Sequence, residues 1–192
     1  SLHDALPICH ADELRRVVRL RARVELGCGQ HRRLPAGQPL ALTPRERAVL
    51  ELPADVGEVN GMAMGAKLRK TNQKTYALVG DGEINEGPIW EGALFAAHHE
   101  LKNFMVIVDE NGFQAMGNTA DVLKLGSIQA KFESFGFEAI AVDGHNELAI
   151  DSAITQLWAS DSKAPKALIA TTVKGKGVPF MENNNIWHYT RD

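Results

Sequence analysis

The chain has 192 residues, of which 44% are apolar, and a formal net charge of −3. That is enough for one ordinary domain with a core, and the charge speaks against a general binder of nucleic acid or membrane surfaces. Two cysteines, Cys9 and Cys28, speak against a disulfide scaffold, and no apolar run reaches the ~20 residues that span a bilayer. With no charged start followed by an apolar stretch, the expected address is cytoplasmic.

The basic residues change type along the chain. All nine before Lys67 are arginine, and from Lys67 onward there are ten lysines and two arginines. Eight acids share the first stretch, which argues against an Arg-rich nucleic-acid arm and against a transit peptide. "SLHDALPI", Ser1 to Ile8, resembles a translated sequencing adapter, and the text after it reads like GC-rich DNA in a wrong frame. Residues 1–56 are therefore expected to be non-native or disordered, although Leu14, Val17, Val18 and Leu20 would allow a helix over Asp12–Glu25. Residues 57–192 are expected to form the domain.

From Val59 onward the pattern is regular. "EVNGMAMGAKLRK" predicts a helix with small residues that pack closely, ending near Lys70. "TYALVG" predicts a strand, Pro88–Leu101 a helix, "NFMVIVD" a second strand and Ser127–Phe135 another helix. "FEAIAVDG" then predicts a third strand, Asn146–Trp158 a helix and "KALIATTV" a fourth strand. Apolar strands alternating with helices imply an α/β fold, a doubly wound parallel sheet with helices on both faces.

In such sheets ligands bind beyond the carboxyl ends of the strands. Three strands end there in residues capable of chemistry: Asp81, then Asp109 and Asn111, then Asp143 and His145. Gly82 allows close backbone approach to a ligand, whereas Asp81 alone would repel a phosphate unless a cation stood between them. Magnesium takes oxygen ligands and binds few carboxylates beside phosphate oxygens, and Asn111 offers a neutral oxygen. Taken singly, Gly-Asp-Gly and Asn111-Gly112 are more often plain turns. Glu83 reads as an exposed acid near a helix start. His98 and His99 read as packed or exposed, "KGKG" as the turn after the last strand, and His145 as either a rim residue or a cap.

The order strand, Gly80-Asp81-Gly82, acidic turn, helix, strand, Asn111 resembles the diphosphate motif of thiamine-diphosphate enzymes. "GDGEINEGPIWEGALFAAHHELKNFMVIVDENGFQ" is similar to the GDGE-x-x-EG-x-x-WEA signature of the transketolase family. "FESFGFEAIAVDGHN" and "TTVKGKGVPFMENNNIWH" continue the likeness. It covers about Val59 to His188 and is greatest with the amino-terminal subunit of split transketolases. Deoxyxylulose-phosphate synthases share Gly-Asp-Gly but usually lack EG-x-x-WE.

The resemblance implies the thiamine-diphosphate-binding fold and transfer of a two-carbon ketol unit from a ketose phosphate to an aldose phosphate. It implies that Asp81, the Asn111 side chain and the Phe113 carbonyl hold Mg2+, with Ca2+ or Mn2+ as substitutes, and that Gly80 and Gly82 meet the diphosphate. It places His188 at the diphosphate and the sugar donor, and Glu86 and Glu91 in a carboxylate network at a dimer interface. It also implies a carboxy-terminal partner subunit and a homodimer or heterotetramer. The family's GS-x-G-Q-G loop has no counterpart in "PADVGEVNGMAMG". The first strand is thus expected to be missing and the chain inactive alone. The alternatives are another thiamine-diphosphate enzyme, a deoxyxylulose-phosphate synthase or the E1 part of a 2-oxo-acid dehydrogenase, or a non-catalytic cofactor-binding fragment.

Overall fold

A computed structural model describes residues 56–188, in which helices and strands follow one another along the chain. In order come α1 (Val56–Leu68), β1 (Thr75–Gly80), α2 (Gly87–His98), β2 (Phe104–Glu110), β3 (Phe113–Gln114), β4 (Gly117–Asn118), α3 (Thr119–Val122), α4 (Ile128–Ser134), β5 (Glu138–Asp143), α5 (Glu147–Ala159) and β6 (Lys166–Thr171). Short 3-10 turns occupy Glu83–Asn85 and Asn185–His188. The expected helices and strands are present with ends shifted by a few residues. The β3–β4 hairpin, α3 and the 3-10 turns were not legible beforehand.

Three helices stop in the same way. Lys70, Glu100 and Gly136 take positive φ, and the next residue donates its N–H back into the last turn: Thr71 to Ala66 O, Leu101 to Ala96 O and Phe137 to Phe132 O, each at 3.0 Å. Leu101 and Phe137 are also buried, which seals the turn with an apolar contact. This is why α2 ends at His98 rather than at Leu101.

β1, β2, β6 and β5 form one parallel sheet in that spatial order. Alternation along the strands divides the core. Ala77, Val79, Phe104, Val106, Val108, Ala167 and Ile169 face one side, with apolar residues of α1, α2 and α4. Tyr76, Met105, Ile107, Leu168 and Ala170 face the other, with Ile150, Ala153, Ile154 and Leu157 of α5. The sheet is thus wound on both faces, as expected for a parallel α/β unit.

α1 and α2 meet very closely. A Cβ added to Gly92 would lie 2.7 Å from Val56 Cγ1 and 2.9 Å from Asn60 Nδ2, and that amide donates to Gly92 O at 2.8 Å. Val56, at the expected domain boundary, is 1% exposed and belongs to this contact. At the amino end of the sheet Lys166, also 1% exposed, is paired with Glu138. Among the described residues β1 is an edge strand. The strand expected to be missing, the helix over Asp12–Glu25 and the non-native reading of the residues before Val56 fall outside the described residues.

Candidate cofactor and metal site

The parallel register brings the site together. Gly80 pairs with Asp109, so Asp81 stands beside the end of β2, and its N–H donates to Asp109 O at 3.2 Å. Asp81 is 1% exposed. Its Oδ2 accepts the Gly112 N–H at 2.6 Å, and its Oδ1 is buried with no hydrogen-bond partner among the described residues. Burial pushes the carboxyl up to about 6; the Gly112 N–H draws it back, Asp109 raises it, the Gly82 N–H lowers it and Glu110 adds repulsion. A carboxylate oxygen that is desolvated and unpaired is an unfavourable group, and a cation is the partner that resolves it.

Asn111 stands two residues beyond the expected strand end. Its Oδ1 accepts the Phe113 N–H at 3.0 Å, an Asx-type turn that points the chain into the β3–β4 hairpin. Gly112, at φ +78, makes that bend possible. Among the described residues no group of three or more His, Cys, Asp or Glu could hold a metal. The side-chain donors at this corner are one carboxylate, Asp81, and one amide oxygen, Asn111. Both are hard oxygens, which suits magnesium coordinated mainly by phosphate and water. The donor types at Asp81 and Asn111 are those the expected metal takes.

The two flanking glycines differ. A Cβ on Gly80 would meet no described residue within 4 Å. A Cβ on Gly82 would lie 2.6 Å from Gln114 Cβ, although Gly82 itself has an ordinary φ of −68. The close approach Gly82 permits is to the chain's own hairpin.

Several contacts around the site differ from the sequence reading or lie outside it. Glu83 is half-buried rather than simply exposed: its Oε2 accepts the Gly80 N–H at 3.1 Å, and burial raises its carboxyl above the usual range. Asn85 Nδ2 donates to Gln114 Oε1 at 2.9 Å. The Trp90 indole N–H donates to Ile84 O at 2.8 Å and its ring lies against Phe132 and Phe135, which holds the acidic turn on the core. A pair of partners such as Glu83 and Gly80, three residues apart, leaves no periodic trace in sequence.

The other expected site residues lie as follows. Glu86 and Glu91 are exposed at the start and on the outer side of α2, and Glu86 is close enough to Glu83 to repel its charge. No described contact joins either to Asp81. His188 ends the final 3-10 turn by its backbone. His98 is exposed and His99 half-buried, with ring centroids 4.8 Å apart. The cap of α5 is Asn146, which accepts the Ala149 N–H at 3.1 Å; His145 Nε2 instead accepts the Val173 N–H at 2.8 Å.

Residues 63–190 match the family described as transketolase, thiamine diphosphate binding domain. The chain belongs to the transketolase family. It is 38% identical over 131 residues to an apulose-4-phosphate transketolase subunit of Phocaeicola vulgatus, covering 67% of this chain and 46% of that protein. A transketolase family protein of Sinorhizobium fredii is 34% identical over 83% of this chain and 57% of its own length, a match long enough to take in residues ahead of Val56. The crystal structure of transketolase from Campylobacter jejuni superposes with a TM-score of 0.66 at 29% identity, over 72% of this chain and 23% of that one. This transketolase-family chain spans about half the length of the first curated relatives it matches. No described helix is long and apolar enough to cross a membrane.

Proposed function

We propose that this chain is the cofactor-binding half of a two-subunit transketolase, moving a two-carbon ketol unit from a ketose phosphate to an aldose phosphate. The observation that carries the proposal is Asp81 Oδ1, a buried carboxylate oxygen with no hydrogen-bond partner among the described residues, at the carboxyl end of a parallel sheet and one strand away from Asn111. Relatives that are themselves named as single subunits of a transketolase favour a separate partner chain.

Asp81, the Asn111 side-chain oxygen and the Phe113 carbonyl would hold magnesium, which neutralises the diphosphate that Asp81 alone would repel. Gly80 and the Gly82 backbone would meet that diphosphate, and no described residue crowds a Cβ on Gly80. When bound, thiamine diphosphate supplies the carbon nucleophile that adds to the ketose carbonyl. His188 is assigned to the diphosphate and the donor hydroxyls. Glu86 and Glu91, exposed on this chain, are assigned to contacts with another subunit, in a homodimer or a heterotetramer. The carboxylate that activates the aminopyrimidine belongs to the partner in this reading, so turnover requires both chains.

The test has two stages. Calorimetry on the full chain, with and without Mg2+, is expected to give magnesium-dependent binding of thiamine diphosphate. Addition of the carboxy-terminal subunit is then expected to give ketol transfer between a ketose phosphate and an aldose phosphate. Binding that ignores magnesium removes Asp81 from the metal site. Product formed from pyruvate instead of a ketose phosphate overturns the transketolase reading.

A further inference from the structure

The Asp143-Gly144-His145 turn is pressed onto the end of β6. A Cβ on Gly144 would lie 2.5 Å from Thr172 Cγ2 and 3.0 Å from Thr171 O. Gly144 N donates to Thr171 O at 2.8 Å, and Asp143 Oδ1 accepts the His145 N–H at 2.9 Å. The His145 backbone is therefore fixed before its side chain is considered. The imidazole spans to the neighbouring strand end, where Nε2 accepts the Val173 N–H. An accepting Nε2 places the ring proton on Nδ1, so the contact needs the neutral ring.

Val173 is the first residue of the segment that leaves the sheet. That segment folds on itself: Asn183 N donates to Lys174 O at 2.9 Å, and Gly175 has positive φ and no room for a Cβ beside Met181 O. Its far end reaches the hairpin, where the Asn185 amide, turned so that both its atoms are paired, donates to Gln114 O and accepts from Gly117 N, each at 3.2 Å. Gln114 is the residue packed on Gly82, next to Asp81. The segment thus runs from His145 to the surroundings of Asp81, and its last described residue is His188.

We infer that neutral His145 is a positioning residue, holding the 173–188 segment across the rim so that its far end is in place for the cofactor. The clamp stands on the geometry alone; its effect on cofactor binding rests on the function proposed above. The test compares the wild-type full chain with His145→Ala and His145→Gln, in which the glutamine oxygen can still accept the Val173 N–H. Limited trypsin digestion reads the segment at Lys174 and Lys176, with Lys102 at the opposite end of the sheet as the internal control. His145→Ala is expected to be cut at Lys174 and Lys176 about fivefold faster, the factor that one ordinary hydrogen bond is worth, with no change at Lys102. His145→Gln is expected to return to the wild-type rate. Calorimetry with thiamine diphosphate and Mg2+ is expected to show a several-fold weaker complex for His145→Ala and recovery in His145→Gln.

Equal cutting of all three proteins overturns the clamp. Faster cutting with unchanged cofactor affinity overturns its role at the site. A uniform rise in cutting that includes Lys102 means a general loss of stability and also overturns it. A wild-type chain that binds no thiamine diphosphate, while the alanine variant is still cut selectively, refutes the proposed function and leaves the clamp standing.

Discussion

Replacement of Asp81 by asparagine in the metal-free protein is expected to make the fold more stable. The carboxyl is held at about 6 against an ordinary 3.8. At neutral pH the folded chain therefore keeps an ionised group that the unfolded chain hydrates better, at a cost of about 3 kcal/mol. The sign follows from the raised value. Protonation favours the fold, so this contribution is fully present below about 3.8 and is lost as pH rises through about 6. Asparagine keeps the shape and an acceptor for Gly112 N–H but carries no charge. In EDTA at pH 7.5, Asp81→Asn is expected to gain up to about 3 kcal/mol, roughly 5–10 °C in Tm for a domain of this size. The gap should close at pH 4. Magnesium with thiamine diphosphate should stabilise the wild type and not the variant, since only a ligand that binds the native state raises Tm. Differential scanning calorimetry at the two pH values, with and without metal, makes the comparison. A variant no more stable than wild type at pH 7.5 in EDTA would refute the claim that burial dominates at Asp81.

Three further substitutions probe other parts. Gly92→Ala should cost about 1–3 kcal/mol in chemical denaturation, because the new methyl meets Val56 and Asn60 and forces α1 away from α2; an unchanged midpoint would mean the helices separate freely. Glu138→Gln should lower stability by about 2–4 kcal/mol at pH 7, because it leaves the buried Lys166 ammonium without its carboxylate. Lys166 holds the Glu138 carboxyl below the usual range, so this contribution is present above the ordinary carboxylate range and fades as pH falls through the lowered folded value. Equal stability of the variant and wild type across pH 3–7 would rule out the pair as the cause. His188→Ala should reduce turnover with the partner subunit by roughly 10–100-fold while Tm changes little; wild-type rates would remove His188 from the reaction.

The order of elements and the rim residues were legible in the sequence because both have local causes. Phe104 to Val108 is apolar at every position, which suits a strand covered on both faces. A charged residue at the end of such a run marks the rim, and Asp81 stood out on that ground. Spacing and glycine pattern then tied Asp81 to Asn111. What tertiary structure decided has no local cause. The spatial order β1-β2-β6-β5 sets β6 between two strands that precede it in the chain, and only that order brings Thr172 within 2.5 Å of Asp109 and Val173 to His145. The β3–β4 hairpin was missed because two-residue strands have no periodicity to read. Glu83 was misjudged because its acceptor role depends on the turn folding back on Gly80. Residue type and spacing name the groups that could reach a ligand. Burial, which sets the carboxyl of Asp81 apart from those of Glu86 and Glu91, exists only once helices and strands have closed around it.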